Sequence, residues 1–204
     1  MLKYIPLSIL LWTAGQAHAQ NMDIDILKRI NASGNYSPVV TKISSSAYAF
    51  GVGIPIGLTM AGQFSGDLEL RNKGLRIAET VVMSSVVTEL LKRAARRNRP
   101  SYTYPELVKA YAPGNDVKSF PSGHTSLAFS TATSVSLEFK KWYITVPAFV
   151  WAGSVGYSRM YLGAHYPSDV LCGAIVGTGT AFATHWLNKK LFPAKQTLKP
   201  APAF

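Results

Sequence analysis

The chain has 204 residues, 48% of them hydrophobic and only 15% charged, with a formal net charge of +11. A typical soluble domain carries roughly 25% charged residues, so a highly charged disordered chain is excluded and a large core or a lipid-facing surface is expected. The single cysteine, Cys172, rules out an intrachain disulfide or a cysteine metal cluster.

Residues 1–19 read as a signal peptide or signal anchor. Lys3 supplies the positive end, 4–14 the short apolar stretch, and Ala17-His18-Ala19 a small-x-small cleavage site. Residues 20–204 hold no repeat or low-complexity linker and read as one domain. In 20–42, Ile24, Ile26, Leu27 and Ile30 fit one face of a short helix with Asp23 and Asp25 near its start. Asn35-Tyr36-Ser37-Pro38 ends it.

Five apolar stretches follow, at 43–62, 77–91, 121–137, 142–158 and 170–188. Several fall short of the ~20 residues that a spanning helix needs. Small residues such as Gly173-x-x-x-Gly177 nevertheless suit close helix packing in lipid. The expected fold class is all-α: an integral membrane bundle of five to six transmembrane helices. A soluble helical bundle would show similar hydropathy.

Loop charge sets an expected orientation. Arg71, Lys73 and Arg76, then Lys140 and Lys141, then Lys189, Lys190, Lys195 and Lys199 fall on one side. That side is cytoplasmic by the positive-inside rule. Lys92, Arg93, Arg96, Arg97 and Arg99 fall on the other side, where phosphate binding explains a basic cluster. Basic residues scattered among apolar helices disfavour nucleic acid as a partner.

Three patterns share that outer face. Lys92 and Arg99 stand seven positions apart, about two helical turns, so both are expected on one side of a helix end that Pro100 stops. Arg93, Arg96 and Arg97 are read as serving the headgroup or interface. Phe120-Pro121-Ser122-Gly123-His124-Thr125 opens an apolar helix, whose free N–H groups and Ser122 hydroxyl suit an anion. Gly123 admits close approach of phosphate, and His124 suits proton donation. In Ser158-Arg159, five residues, then His165-Tyr166-Pro167-Ser168-Asp169, Arg159 offers a planar fork. His165 suits attack on phosphorus, with Asp169 either holding its other ring nitrogen or capping a helix. The 101–119 segment joins the first two patterns and is expected over the site, as a lid or an interfacial loop.

In this order, Lys-x6-Arg-Pro, Pro-Ser-Gly-His and Ser-Arg-x5-His-x3-Asp resemble the signature of the type 2 phosphatidic acid phosphatase superfamily, whose core is shared with haloperoxidases. The resemblance covers Lys92 to Asp169. It implies His165 as nucleophile through a phosphohistidine, Asp169 as its orienting partner, and His124 as acid and then base. It implies phosphate binding by Lys92, Arg99, Ser122, Gly123 and Arg159, no cofactor, no divalent metal, and inhibition by vanadate. The expected activity is dephosphorylation of a membrane lipid at the outer face of a bacterial inner membrane. Lipid A phosphate and undecaprenyl diphosphate rank first, then phosphatidylglycerol phosphate and phosphatidate. A soluble periplasmic acid phosphatase would share the motifs. A non-enzymatic protein binding anionic lipid would share only the charge.

Overall fold

Helix formation follows the apolar stretches but overruns them. The computed structural model describes residues 22–111 and 117–191. Residues 1–19, Asp116, Lys195 and Lys199 lie outside the described residues. Helix α1 covers 22–30. After it come α2 (Pro38–Ser65), α3 (Leu68–Ala95), the four-residue α4 (Pro100–Thr103), α5 (Gly123–Phe139), α6 (Trp142–Tyr161) and α7 (Pro167–Leu191). The described residues form no strand, only one antiparallel bridge between Asn98 and Lys118.

Two expectations at the ends of α3 are corrected. Arg71, Lys73 and Arg76 do not form a loop but stand in the first turns of α3. Gly66 ends α2 in the left-handed region at φ 72°, and Asp67 caps α3 by accepting from the Leu70 N–H at 2.9 Å. Helix then continues through the charges because they are paired. Lys73 meets Glu69 at 2.7 Å, and Arg76 holds Glu138 with two nitrogens. At the other end α3 stops at Ala95, with Arg96 at φ 50°, so Arg99 is not on the helix that carries Lys92. Arg99 instead caps α4, and its N–H donates to the Val117 carbonyl.

The five long helices form a bundle with α5 at its centre, touching α2, α3, α6 and α7. Small residues make this possible. A Cβ on Gly173 would lie 2.6 Å from the Ser122 carbonyl oxygen, and one on Gly177 2.3 Å from that of Ser126. The expected glycine pair therefore brings α7 against the backbone of α5. Between these helices and α3 runs a seam of buried hydroxyls. Ser126 meets Ser84 at 2.9 Å and Thr88 at 2.7 Å, and Thr80 meets Thr184 at 2.9 Å. Hydroxyls explain the weak hydropathy of α5, which faces protein on most sides. Interhelical hydrogen bonds in lipid contribute ~0.6 kcal/mol each.

Apolar side chains outside the bundle are as telling. Val52, Ile56 and Met60 on α2, Val82 and Val86 on α3, Val146 and Val150 on α6, and Leu171, Ile175 and Phe182 on α7 are all exposed. So extended an apolar exterior suits lipid rather than water. By length and composition alone, α2 and α7 suffice to cross a membrane.

Gly177→Val should lower stability in detergent by ~1–3 kcal/mol through overpacking against α5. Gly179→Ala, whose Cβ meets nothing within 4 Å, should leave the thermal unfolding midpoint unchanged or slightly raised.

Candidate active site

Helix ends bring the three motifs together at one end of the bundle. Lys92 sits in the last turn of α3, Ser122 and Gly123 begin α5, Arg159 is near the end of α6, and Asp169 is in the first turn of α7. Chain segments 97–99 and 117–119 are tied side by side, with Ser119 N–H donating to the Arg97 carbonyl at 2.7 Å. That pairing carries Arg99 toward the site without help from α3. Lys92 Nζ donates to the Lys118 carbonyl at 3.1 Å.

His165 lies in the 162–166 turn between α6 and α7, 2% exposed. Gly163 shapes that turn at φ 67°. A Cβ there would strike the Lys109 carbonyl at 2.0 Å, so only glycine fits under the overlying segment. Burial drives the His165 imidazole down to about 4, helped by the Arg159 and Arg99 charges and opposed by the Asp169 carboxylate. At neutral pH the ring is therefore unprotonated. Its Nδ1 faces Asp169 Oδ2 at 3.7 Å, longer than a hydrogen bond.

Asp169 is fully buried and otherwise satisfied. Oδ1 accepts from Arg97 at 2.8 Å. Oδ2 accepts from the Tyr166 N–H at 2.8 Å and from the Ser119 hydroxyl. The Tyr166 contact is half of a capping box for α7. Asp169 thus caps its helix while its carboxylate faces His165 Nδ1 without a hydrogen bond to it.

The other predicted residues converge from the remaining elements. The charges of Arg159, His165, Arg99 and Lys92 all act on His124, at the same end of the bundle. The His124 ring packs edge-on to Tyr48 of α2, with centroids 4.7 Å apart. Arg159 donates through one terminal nitrogen to Ser44 Oγ at 2.6 Å, while its Nε is buried without a hydrogen-bond partner. A buried guanidinium N–H of this kind suits an anion's oxygen. A Cβ on Gly123 would come no nearer than 3.8 Å to Lys92 Cε, so packing within the protein does not require glycine there. Ser122 keeps only its hydroxyl proton to offer an anion. It is fully buried, its N–H donates to the Asp169 carbonyl, and its hydroxyl accepts from Thr125 at 2.9 Å. The N–H groups of Gly123 and His124 precede the first helical bond and stay available at this helix start.

The PAP2 superfamily pattern matches residues 73–193. The chain belongs to this superfamily. Within it, the chain is 35% identical to the lipid A 1-phosphatase of Rhizobium johnstonii over 56% of this chain and 50% of that one. It is 26% identical to the undecaprenyl-diphosphatase BcrC of Bacillus subtilis over 76% and 78%. The chain spans about half the length of the lipid A phosphatase it matches. The crystal structure of a transmembrane PAP2 type phosphatidylglycerolphosphate phosphatase from Bacillus subtilis has the same fold. Its TM-score is 0.69 at 24% identity, covering 93% of this chain and 98% of that one. The all-α membrane bundle expected from the sequence is therefore the PAP2 fold.

Three residues around the PAP2 motifs carry no signal in the sequence: Ser44, Tyr48 and Ser119. Arg97, expected at the headgroup or interface, instead binds Asp169. Ser44 and Tyr48 come from α2, outside the 73–193 match. No local pattern marks them, since their role depends on which helix lies beside α6 and α5.

Ser44→Ala should release the Arg159 fork and weaken orthovanadate binding ~3–10-fold, as loss of a hydrogen bond to a charged group implies. Isothermal titration in detergent would measure this. Exposed Ser45→Ala should bind vanadate as the wild type does.

Proposed function

We propose that the protein is a metal-independent phosphatase of a membrane lipid, working through a phosphohistidine. One observation carries this reading: a buried imidazole faces a fully held carboxylate, with the charges of Arg159 and Arg99 acting on it. His165 Nδ1 toward Asp169 leaves Nε2 for phosphorus. Attack there forms an N–P bond as the bond to the lipid oxygen breaks. His124 gives that oxygen its proton. Asp169 stabilises the positive ring. His124, now a base, takes a proton from water, which releases phosphate and restores His165. Lys92, Arg99 and Arg159, with Ser122 and the Gly123 N–H, hold the phosphoryl oxygens as charge shifts onto them. In this reading they do the charge stabilisation that metal ions supply in other phosphoryl transfers.

The lipid is proposed from similarity to lipid A and undecaprenyl diphosphate phosphatases. Phosphatidylglycerol phosphate and phosphatidate rank behind. The location proposed is a bacterial inner membrane crossed several times, with the site toward the periplasm. Charge supports that orientation. Arg71, Lys73, Arg76, Lys140, Lys141, Lys189 and Lys190 all lie toward the bundle end away from His165. The exposed apolar belt favours the membrane over a soluble acid phosphatase.

Purified full-length protein in detergent with EDTA should release phosphate from at least one of these four lipids. His165→Ala should reduce the rate ~1000-fold or more, as removal of a nucleophile does, while unfolding at the wild-type temperature. Unchanged release by His165→Ala would sink the phosphohistidine. Release abolished by EDTA and restored by a divalent ion would sink the metal-free mechanism. Protein leaving membranes in a carbonate wash would favour the soluble alternative.

A further inference from the structure

Arg97, an unspecified position of the first motif, and Ser119, outside the motifs, meet at Asp169, and Asp23 from α1 holds Arg97. Arg97 reaches two carboxylates at once. One terminal nitrogen lies 2.8 Å from Asp169 Oδ1 and 2.7 Å from Ser168 Oγ, and the other lies 2.7 Å from Asp23 Oδ2. Its guanidinium carbon stands 4.0 Å from the centre of the Tyr166 ring. Asp23 Oδ1 accepts from the Ser168 N–H at 3.0 Å, so the same carboxylate also holds the first turn of α7. These groups are largely enclosed: Arg97 is 25% exposed, Asp23 11% and Asp169 0%.

Helix α1 carries Asp23 in. Ile24 and Leu27 pack against Val108 and Tyr166, forming a small core over the His165 turn. Asp23 lies outside the segment that matches the superfamily.

We propose that Arg97 and Asp23 are positioning residues for the reaction at His165: Arg97 holds Oδ1 of the Asp169 carboxylate while Ser119 and Tyr166 hold Oδ2, and Asp23, brought by α1, fixes Arg97. A planar guanidinium reaches the two carboxylates with one nitrogen each, in a geometry that a point charge does not impose. The chain also moderates charge, since Arg97 offsets Asp169 and Asp23 offsets Arg97. The other groups facing His165 are Arg159 from α6, Arg99 from the segment before α4, and His124 from α5. Removing Arg97 leaves Asp169 uncompensated and favours protonated, non-nucleophilic His165. Neutralising Asp23 does the reverse, more weakly. This inference rests on the phosphatase reading of the site.

The test compares full-length wild type with Asp23→Asn, Arg97→Lys, Arg97→Gln and the Asp23→Asn/Arg97→Gln double variant. Phosphate release would be followed between pH 5 and pH 8, with thermal unfolding as the control for folding. Arg97→Gln should lose ~100-fold in kcat with KM within about twofold, the scale of a misplaced reacting group. Arg97→Lys should fall between it and the wild type. The double variant should be no slower than Arg97→Gln, because Asp23 acts through Arg97.

The ratio of variant to wild-type kcat/KM, in which substrate ionisation cancels, should fall toward pH 5 for Arg97→Gln. It should stay flat for Asp23→Asn, which only lowers an imidazole already near 4, and for Arg97→Lys, which keeps the charge. Losses that multiply in the double variant, that appear in KM, or an Arg97→Gln ratio that is flat with pH would overturn the inference. If Arg97→Gln does not fold, Asp23→Asn and Arg97→Lys decide it by whether their losses fall in kcat or in KM. Wild type inactive on every lipid would remove the phosphatase reading and this inference together. Active wild type with Asp23→Asn unchanged at every pH would remove this inference alone.

Discussion

A buried carboxylate must be satisfied on both oxygens, and Asp169 organises one end of the bundle on that account. An ionised group without exposure is costly unless it is paired and hydrogen-bonded. Asp169 draws in the cation of Arg97, the hydroxyl of Ser119 and the N–H of Tyr166. Each partner arrives on a different segment: the turn after α3, the strand-like piece before α5, and the start of α7. Satisfying one side chain therefore joins three segments, and His165 sits among them. The place of His165 follows from the needs of its neighbour.

Membrane helices supply the frame. Lipid offers no water to backbone groups, so the chain is helical wherever it is enclosed by lipid. Apolar association is weak there, and close contact with hydroxyl bonds takes over. Gly173 and Gly177 set the distance between α5 and α7. Since α5 begins at Gly123 and α7 at Pro167, that distance also sets the gap between His124 and Asp169. Packing at mid-bundle and geometry at the site are the same constraint seen at two heights.

Electrostatics at the two ends are opposite in kind. Away from the site, Arg76 is neutralised by Glu138, with His185 Nδ1 3.6 Å from the same carboxylate, and Asn188 binds Glu79 at 2.7 Å. At the site, the charges of Lys92, Arg99 and Arg159 act on His124, and the nearby carboxylate of Asp169 is already held by Arg97. Like charges brought together this way repel, and an anion among them would relieve the repulsion. The buried N–H of Arg159, with no partner, belongs to the same arrangement.

Motif identity and order were legible in the sequence because the chemistry demands residue types: an imidazole to attack, cations to hold oxygens, a glycine where the backbone must approach. The apolar stretches were legible too, as was the small-residue spacing on α7. Helix bounds were not. Charge suggested a loop at Arg71 to Arg76, but Glu69 and Glu138 pair those cations and helix continues through them. Heptad spacing placed Lys92 and Arg99 on one helix, but the chain breaks at Arg96 and the two converge from separate segments. Arg97 read as one more interfacial cation because its partners, Asp23 and Asp169, lie 74 and 72 positions away. Local sequence thus determined the motifs and their order and which stretches become helix. Only the tertiary structure decided which charges meet, since that depends on helices packing side by side and not on neighbours along the chain.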